Sequence, residues 1–211
     1  AEQGELPVLA SLLAEGHLTE TEAPAGLFTG AVWPTVWTGV HAGLHGYHCW
    51  KQIRPGTYEL ELHQETEQGL GAEPFWDDLG RDGVTTVVID APHAPLAADG
   101  LGAQILEWGG HDAVTPPMSS PRELIDDVLD RYGEHPSWGN CNQHDRTAED
   151  HADFRDRMCA GAAARAGLTL DLYQRYRPGL LVSVFGEGHC IGHQAWHLHD
   201  PDHPDHDPAI T

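Results

Sequence analysis

The sequence has few basic residues. Its 211 residues include only 11 lysines and arginines against 33 aspartates and glutamates, which gives a formal net charge of −22, and Lys51 is the only lysine. A surface this acidic repels nucleic-acid backbones and anionic membranes, so we expect no surface that tracks nucleic acid. A compact anionic ligand still fits such a protein if bound cations dominate the local field.

Long hydrophobic runs and paired cysteines are also missing. No stretch approaches the roughly 20 apolar residues of a membrane-spanning helix, so we expect no membrane partner. The four cysteines contain no CxxC pair and are too sparse for a disulfide scaffold. We therefore expect reduced thiols in a cytoplasmic protein. Nothing in the sequence indicates an oligomeric state.

What the sequence does contain is an alternation of helical and strand-like segments. Apolar periodicity predicts helices at 6–15, 75–80, 121–132 and 148–176, and buried strands at 83–90 and 180–185. Residues 91–120 look rich in loops, and Gly161 and Gly167 make the continuity of the last helix doubtful. The alternation is typical of an α/β fold with a mostly parallel sheet.

The densest chemistry follows the strand at 180–185, at the end of a strand where open α/β sheets place their ligands. His189 and His193 are spaced i,i+4, so on a helix both imidazoles lie on one face and can share a metal ion. Glu187 is a candidate carboxylate ligand beside them. Asp200 and His203 are further candidates, and their alternative role is to cap turns before Pro201 and Pro204.

Two segments resemble the alkaline phosphatase superfamily, in particular its type I phosphodiesterase/nucleotide pyrophosphatase branch. The first is Thr29-Gly-Ala-Val-Trp-Pro-Thr35-Val-Trp-Thr38-Gly39, followed by His45-Gly46. The second is His189-x-x-x-His193-x-x-Trp196-x-x-x-Asp200-x-x-His203-Pro204. A leucine-containing first helix at 6–16 also fits, and the matches follow the family's order along most of the chain.

The resemblance implies a three-layer α/β/α sandwich that hydrolyses small phosphorylated substrates with two divalent metal ions, zinc or manganese. Its nucleophile is a threonine or serine at the start of a helix, where the dipole favours an anion. Counting back without gaps from Thr38-Gly39 gives Thr29, and Thr35 after Pro34 is the alternative. His193 matches the family's metal ligand, whereas His189 stands where the family usually has Asp.

The resemblance also implies that part of the catalytic domain is absent. We expect residues 1–211 to be a single partial domain with both ends missing and a loop-rich and helix-rich insert at about 91–176. The family's first Asp ligand, a further Asp-His pair and a final His are not found in this sequence. The resemblance therefore implies a two-metal site completed by residues outside this chain, and a piece that is inactive on its own.

Two other functions remain open. The first is a non-catalytic protein that uses the His/Asp-rich C-terminal segment to bind metal without hydrolysing anything. A degenerate member of the superfamily is suggested by the histidine at 189. A sulfatase is disfavoured, because neither Cys-x-Pro-x-Arg nor Ser-x-Pro-x-Arg occurs in the sequence.

Overall fold

The computed structural model describes residues 4, 6–23, 29–49, 51–54, 56–62, 71–97, 102–110, 115–136 and 146–208, without the side chains of Thr29 and Leu62. The helices are α1 (Pro7–Glu15), α2 (Val32–Thr38), α3 (Ala42–His45), α4 (Phe75–Arg81), α5 (Leu124–Tyr132), α6 (Ala148–Tyr176) and α7 (Gly186–His199), with a 3-10 turn at Thr29–Ala31. The strands are β1 (Lys51–Ile53), β2 (Leu60–Leu62), β3 (Thr86–Ile89), β4 (Gly102–Leu106), β5 (Met118–Ser120) and β6 (Leu180–Ser183).

The main sheet has four strands in the order β5-β4-β3-β6. Strand β3 lies in the middle and runs parallel to both β4 and β6, and only β5 is antiparallel. All four residues of β3 are buried, as expected for a central parallel strand covered on both faces. The separate hairpin β1–β2 begins with Lys51, which is exposed.

Helices pack on both faces of the sheet. Alternate residues of β3 face opposite ways: Val87 and Ile89 pack with α5 and α6, whereas Val88 packs with Trp37 of α2 and Trp76 of α4. The mixed α/β architecture and the mostly parallel sheet predicted from sequence are therefore confirmed. The complete three-layer sandwich and the division into one domain with an insert stay predictions.

Helix α6 is continuous over 29 residues in spite of its two glycines. It begins with a capping box, in which the Thr147 hydroxyl accepts from the amide of Asp150 and the Asp150 carboxylate accepts from the amide of Thr147. Gly161 is needed for packing, because a Cβ there would lie 2.5 Å from Cε1 of His135. The His135 ring packs against Gly161, so this glycine has a packing role and does not interrupt the helix.

Two sequence-based expectations are wrong in part. The segment expected to be rich in loops holds β4 and β5, two strands of the main sheet. Cys190 is disulfide-bonded, so the expectation of reduced thiols is wrong for this residue. Cys49 and Cys159 are free thiols, and Cys141 lies outside the described residues.

In the part of the chain that the structure describes, no helix is long and apolar enough to cross a membrane.

Candidate functional site

Helix α7 carries the two imidazoles of the predicted metal pair. Two residues separate it from the end of β6, so it rises from the carboxyl end of a parallel strand. The ring centroids of His189 and His193 are 4.4 Å apart at an interplanar angle of 69°, and both residues are exposed. The i,i+4 spacing therefore places the two rings together on one face, as predicted.

The two histidines do not complete a metal site by themselves. No group of three or more His, Cys, Asp or Glu side chains within the described ranges is arranged to hold a metal ion. Two neighbouring imidazoles would supply two of the three protein ligands that zinc usually has in catalytic sites. Asp200, His203 and residues beyond those described stay candidates for the further ligands.

Glu187 lies two residues before His189 but points into the protein. Its side chain is 4% exposed, and Oε1 is 3.1 Å from Nε of Arg165 and 2.8 Å from Nε2 of His135. Burial alone would raise the pKa of Glu187, but the hydrogen bond from His135 and the positive charge of Arg165 outweigh it and lower the pKa below 4.5. Glu187 is therefore an ionised partner of a buried arginine.

Asp90 and the loop after β4 belong to the same buried group. Asp90 follows β3 directly and has a φ of 49°, a left-handed conformation that Asp tolerates better than most residues. Its carboxylate accepts from the amides of Trp108 (2.9 Å) and Gly109 (2.8 Å) and from the Arg165 guanidinium (2.6 Å). The sequence analysis did not find Arg165, which is fully buried on α6. The only available signal was an arginine among small residues, in Gly161-Ala-Ala-Ala-Arg165-Ala-Gly167.

Thr29 and Thr35 lie in the segment that resembles the nucleophile helix. Thr29 opens the 3-10 turn that leads directly into α2, and its side chain lies outside the described part of the structure. Thr35 lies inside α2, where its hydroxyl donates to the carbonyl of Ala31 at 2.8 Å and is 3.0 Å from Nε2 of His45. The hydroxyl of Thr35 is thus fully engaged within the fold.

The protonation of His45 follows from its partners. The amide of Tyr47 donates to Nδ1 of His45 at 3.0 Å, so in the neutral ring the proton is on Nε2, which donates to Thr35. Burial of the ring, with a smaller contribution from His41, lowers the pKa of His45 from 6.5. The neutral ring therefore holds α2 against the turn that follows α3.

The segment with Thr29 is anchored at the same end of the sheet as α7. Trp33 and Trp37 of α2 stack at 4.9 Å and pack in one cluster with Ala91, after β3, and Val184, after β6. The indole of Trp37 also donates to the carbonyl of Pro92 at 2.8 Å. Helices α2 and α7 therefore both lie at the carboxyl ends of β3 and β6.

Asp200 and His203 form a turn after α7. A side-chain oxygen of Asp200 accepts from the amide of Asp202 at 3.0 Å, and Nδ1 of His203 accepts from the amide of Asp205 at 3.1 Å. These are the capping contacts that the alternative interpretation describes. Each of these hydrogen bonds uses only one side-chain atom of Asp200 or His203 and so does not test metal binding by the other polar atom. The ligand role of both residues therefore stays a prediction.

A cavity of about 360 Å³ lies elsewhere, between α4 and the sheet. Its lining includes Trp76, Arg81 and Gln104 but none of the candidate site residues. It therefore adds nothing to the site at the carboxyl ends of the strands.

Comparison with known proteins gives one match. The family model of type I phosphodiesterase / nucleotide pyrophosphatase matches residues 1–207. No curated protein and no solved structure matches the chain. The family model covers nearly the whole chain, including the segment with Thr29 and the helix with the histidine pair. The chain therefore belongs to the type I phosphodiesterase / nucleotide pyrophosphatase family, a branch of the alkaline phosphatase superfamily.

Proposed function

We propose that this protein is a metal-dependent hydrolase of small phosphate esters that uses Thr29 as its nucleophile and His189 and His193 as metal ligands. The observation that supports this most is the shared position of α2 and α7 at the carboxyl ends of β3 and β6. Family membership suggests phosphoric ester hydrolysis by itself. The position of the two helices supports the assignment of specific residues to that activity.

Thr29 is the better of the two nucleophile candidates. The hydroxyl of Thr35 already donates to Ala31 and accepts from His45, so a nucleophilic role would break a buried hydrogen-bonded chain. Thr29 begins a helical turn and lies in the position that matches the family motif. In this proposal Thr29 attacks phosphorus, forms a phosphothreonine and releases the alcohol, and water then hydrolyses the phosphothreonine.

The histidine pair supplies two imidazole nitrogens toward the two metal ions, zinc or manganese, that the family resemblance implies. Such ions stabilise the attacking and leaving oxygens when bound. The remaining ligands come, in this proposal, from Asp200, His203 and residues outside this chain. Because the chain carries a net charge of −22, bound cations are also needed to attract an anionic substrate.

A mutation series with metal analysis tests the proposal. The purified full-length protein and its variants Thr29→Ala, Thr29→Ser, Thr35→Val and His193→Ala are assayed on p-nitrophenyl phosphate and bis-p-nitrophenyl phosphate with zinc or manganese. We expect Thr29→Ala to abolish turnover with metal content unchanged, Thr29→Ser to restore part of it, and His193→Ala to lose both metal and activity. Thr57→Ala, at an exposed turn threonine, is the matched control.

Other outcomes would support other functions. Activity that survives Thr29→Ala but not Thr35→Val would move the nucleophile to Thr35. Metal bound through His189 and His193 without hydrolysis of either ester would favour a non-catalytic metal-binding protein. That alternative has one observation in its favour, the neighbouring rings of His189 and His193, since binding a metal ion through them needs no nucleophile.

A further inference from the structure

Arg165 joins three separate segments at the carboxyl edge of the sheet. It lies on α6 and is 0% exposed. Its guanidinium donates to Asp90 after β3 (2.6 Å), to the Gly109 carbonyl after β4 (2.7 Å) and to Glu187 in the first turn of α7 (3.1 Å). The five N–H donors of arginine in a fixed planar fork suit it to such a three-way contact.

The surroundings leave this guanidinium little freedom. It lies over the rings of Trp108 and Phe185, with 5.7 and 5.9 Å from Cζ to the ring centroids. A Cβ at Gly109 would come within 2.2 Å of a guanidinium nitrogen of Arg165 and 2.5 Å of His135. The glycine therefore makes the space in which Arg165 and His135 meet the carboxylates.

Two carboxylates and one guanidinium meet within this buried group. Asp90 and Glu187 bring two buried carboxylates, and Arg165 brings one positive charge that contacts both. His135, also buried, contacts the same oxygen of Glu187 at 2.8 Å. None of these four side chains is exposed enough to contact a substrate, so their role in the site must be indirect.

We infer that Arg165 is a positioning residue: it fixes the start of α7, and with it the His189–His193 pair, against the carboxyl ends of β3 and β4. Glu187 lies two residues before His189, so its contact with Arg165 sets both where the helix begins and how it is rotated. The inference rests on the proposed function only in the role that it gives to the histidine pair.

The test uses Arg165→Lys, which keeps the positive charge but removes the planar fork, and Arg157→Lys as the matched control. Arg157 lies on the same helix, is exposed and pairs with Asp153 at 2.8 Å. Two quantities are measured on each protein: hydrogen exchange of the amides in α7 and in α5, and the dissociation constant for zinc. His189→Ala identifies how much of the zinc binding depends on the pair.

We expect Arg165→Lys to speed exchange in α7 while α5 stays protected, and to weaken zinc binding at least tenfold, because loss of residues that orient metal ligands commonly costs 10–100-fold in affinity. Arg157→Lys should change neither quantity. Unchanged exchange in α7 would overturn the inference, and so would faster exchange with unaltered zinc affinity. If exchange becomes faster to the same extent in α5 and α7, Arg165 has a general structural role, and the inference is also overturned.

Failure of the proposed function would look different. If wild-type zinc binding does not depend on His189, the histidine pair is not a metal site, and the exchange data alone then decide whether Arg165 fixes α7. If Arg165→Lys does not fold, Glu187→Gln replaces it and is assessed by exchange only, since Glu187 is itself a candidate ligand. Faster exchange in α7 of that variant supports the inference, and unchanged exchange overturns it.

Discussion

Thr35 and His45 are joined in a hydrogen-bonded chain that runs from the amide of Tyr47 through the imidazole and the hydroxyl to the carbonyl of Ala31. Every donor in this chain has an acceptor. The sequence leaves Thr35 as an alternative to Thr29, because a threonine that follows a proline at a helix start is also a candidate nucleophile. Only the position of His45, ten residues away in sequence, shows that the Thr35 hydroxyl is engaged.

Replacing Thr35 by Val should destabilise the fold. The buried Nε2–H of His45 would lose its acceptor, which costs about 1–3 kcal/mol. Thr38→Val is the control, since Thr38 lies on the same helix and donates to the Pro34 carbonyl, but no buried ring depends on it. Urea unfolding measures both variants, and an equal loss in the two would contradict the role given to His45.

The pH dependence of stability provides a second test of His45. Because its pKa is lowered in the folded state, the unfolded chain takes up the proton first as the pH falls through 6.5. The free energy of unfolding should therefore decrease from about pH 7 toward pH 5. We expect His45→Gln to have a shallower dependence over this range in urea unfolding. The same slope in both proteins would rule out His45 as its source.

Elements differ in how far the sequence determines them. Strand β3 and helix α6 were predicted because their apolar patterns are long and regular. Strand β5, Met118–Ser120, was not predicted, because it contains no β-branched or aromatic residue and is held by pairing with β4. Arg165 was missed for a similar reason: its partner Asp90 lies 75 residues away, and an arginine on a helix usually faces solvent.

Two glycine-to-alanine substitutions in helices should have opposite effects. Gly161→Ala places a methyl group 2.5 Å from the His135 ring, and such overpacking costs about 1–3 kcal/mol. Gly192→Ala in α7 meets no atom within 4 Å and should gain up to about 1 kcal/mol from helix propensity. Thermal unfolding compares them. If the Gly161→Ala variant is stabilised, the His135 ring does not lie against residue 161.

For the molecule as a whole, the disulfide at Cys190 is the feature that departs most from the expectation based on composition. Four cysteines without a CxxC pair suggest reduced thiols, because spacing in sequence does not report distance in the fold. Cys190 lies in a buried cluster with Phe154 and Met158 of α6. The bond is thus formed next to the contact between α6 and α7.

Counting thiols on the denatured, unreduced protein tests this bond. We expect at most three reactive thiols per chain, because Cys190 is disulfide-bonded whereas Cys49 and Cys159 are free. After reduction the count should rise to all four cysteines. A count of four before reduction would show that the purified protein lacks the disulfide. Cys159→Ser is the control and should lower the unreduced count by one.

The single lysine gives the chain one cleavage point for a lysine-specific protease. Lys51 is exposed in β1, so a cut there would leave Thr29 on the fragment 1–51 and the His189–His193 pair on the fragment 52–211. The Trp37 contacts with Pro92 and Trp76 would then be contacts between two separate polypeptides. Whether the fragments stay together after cleavage would report directly on how firmly the two halves of the site are held.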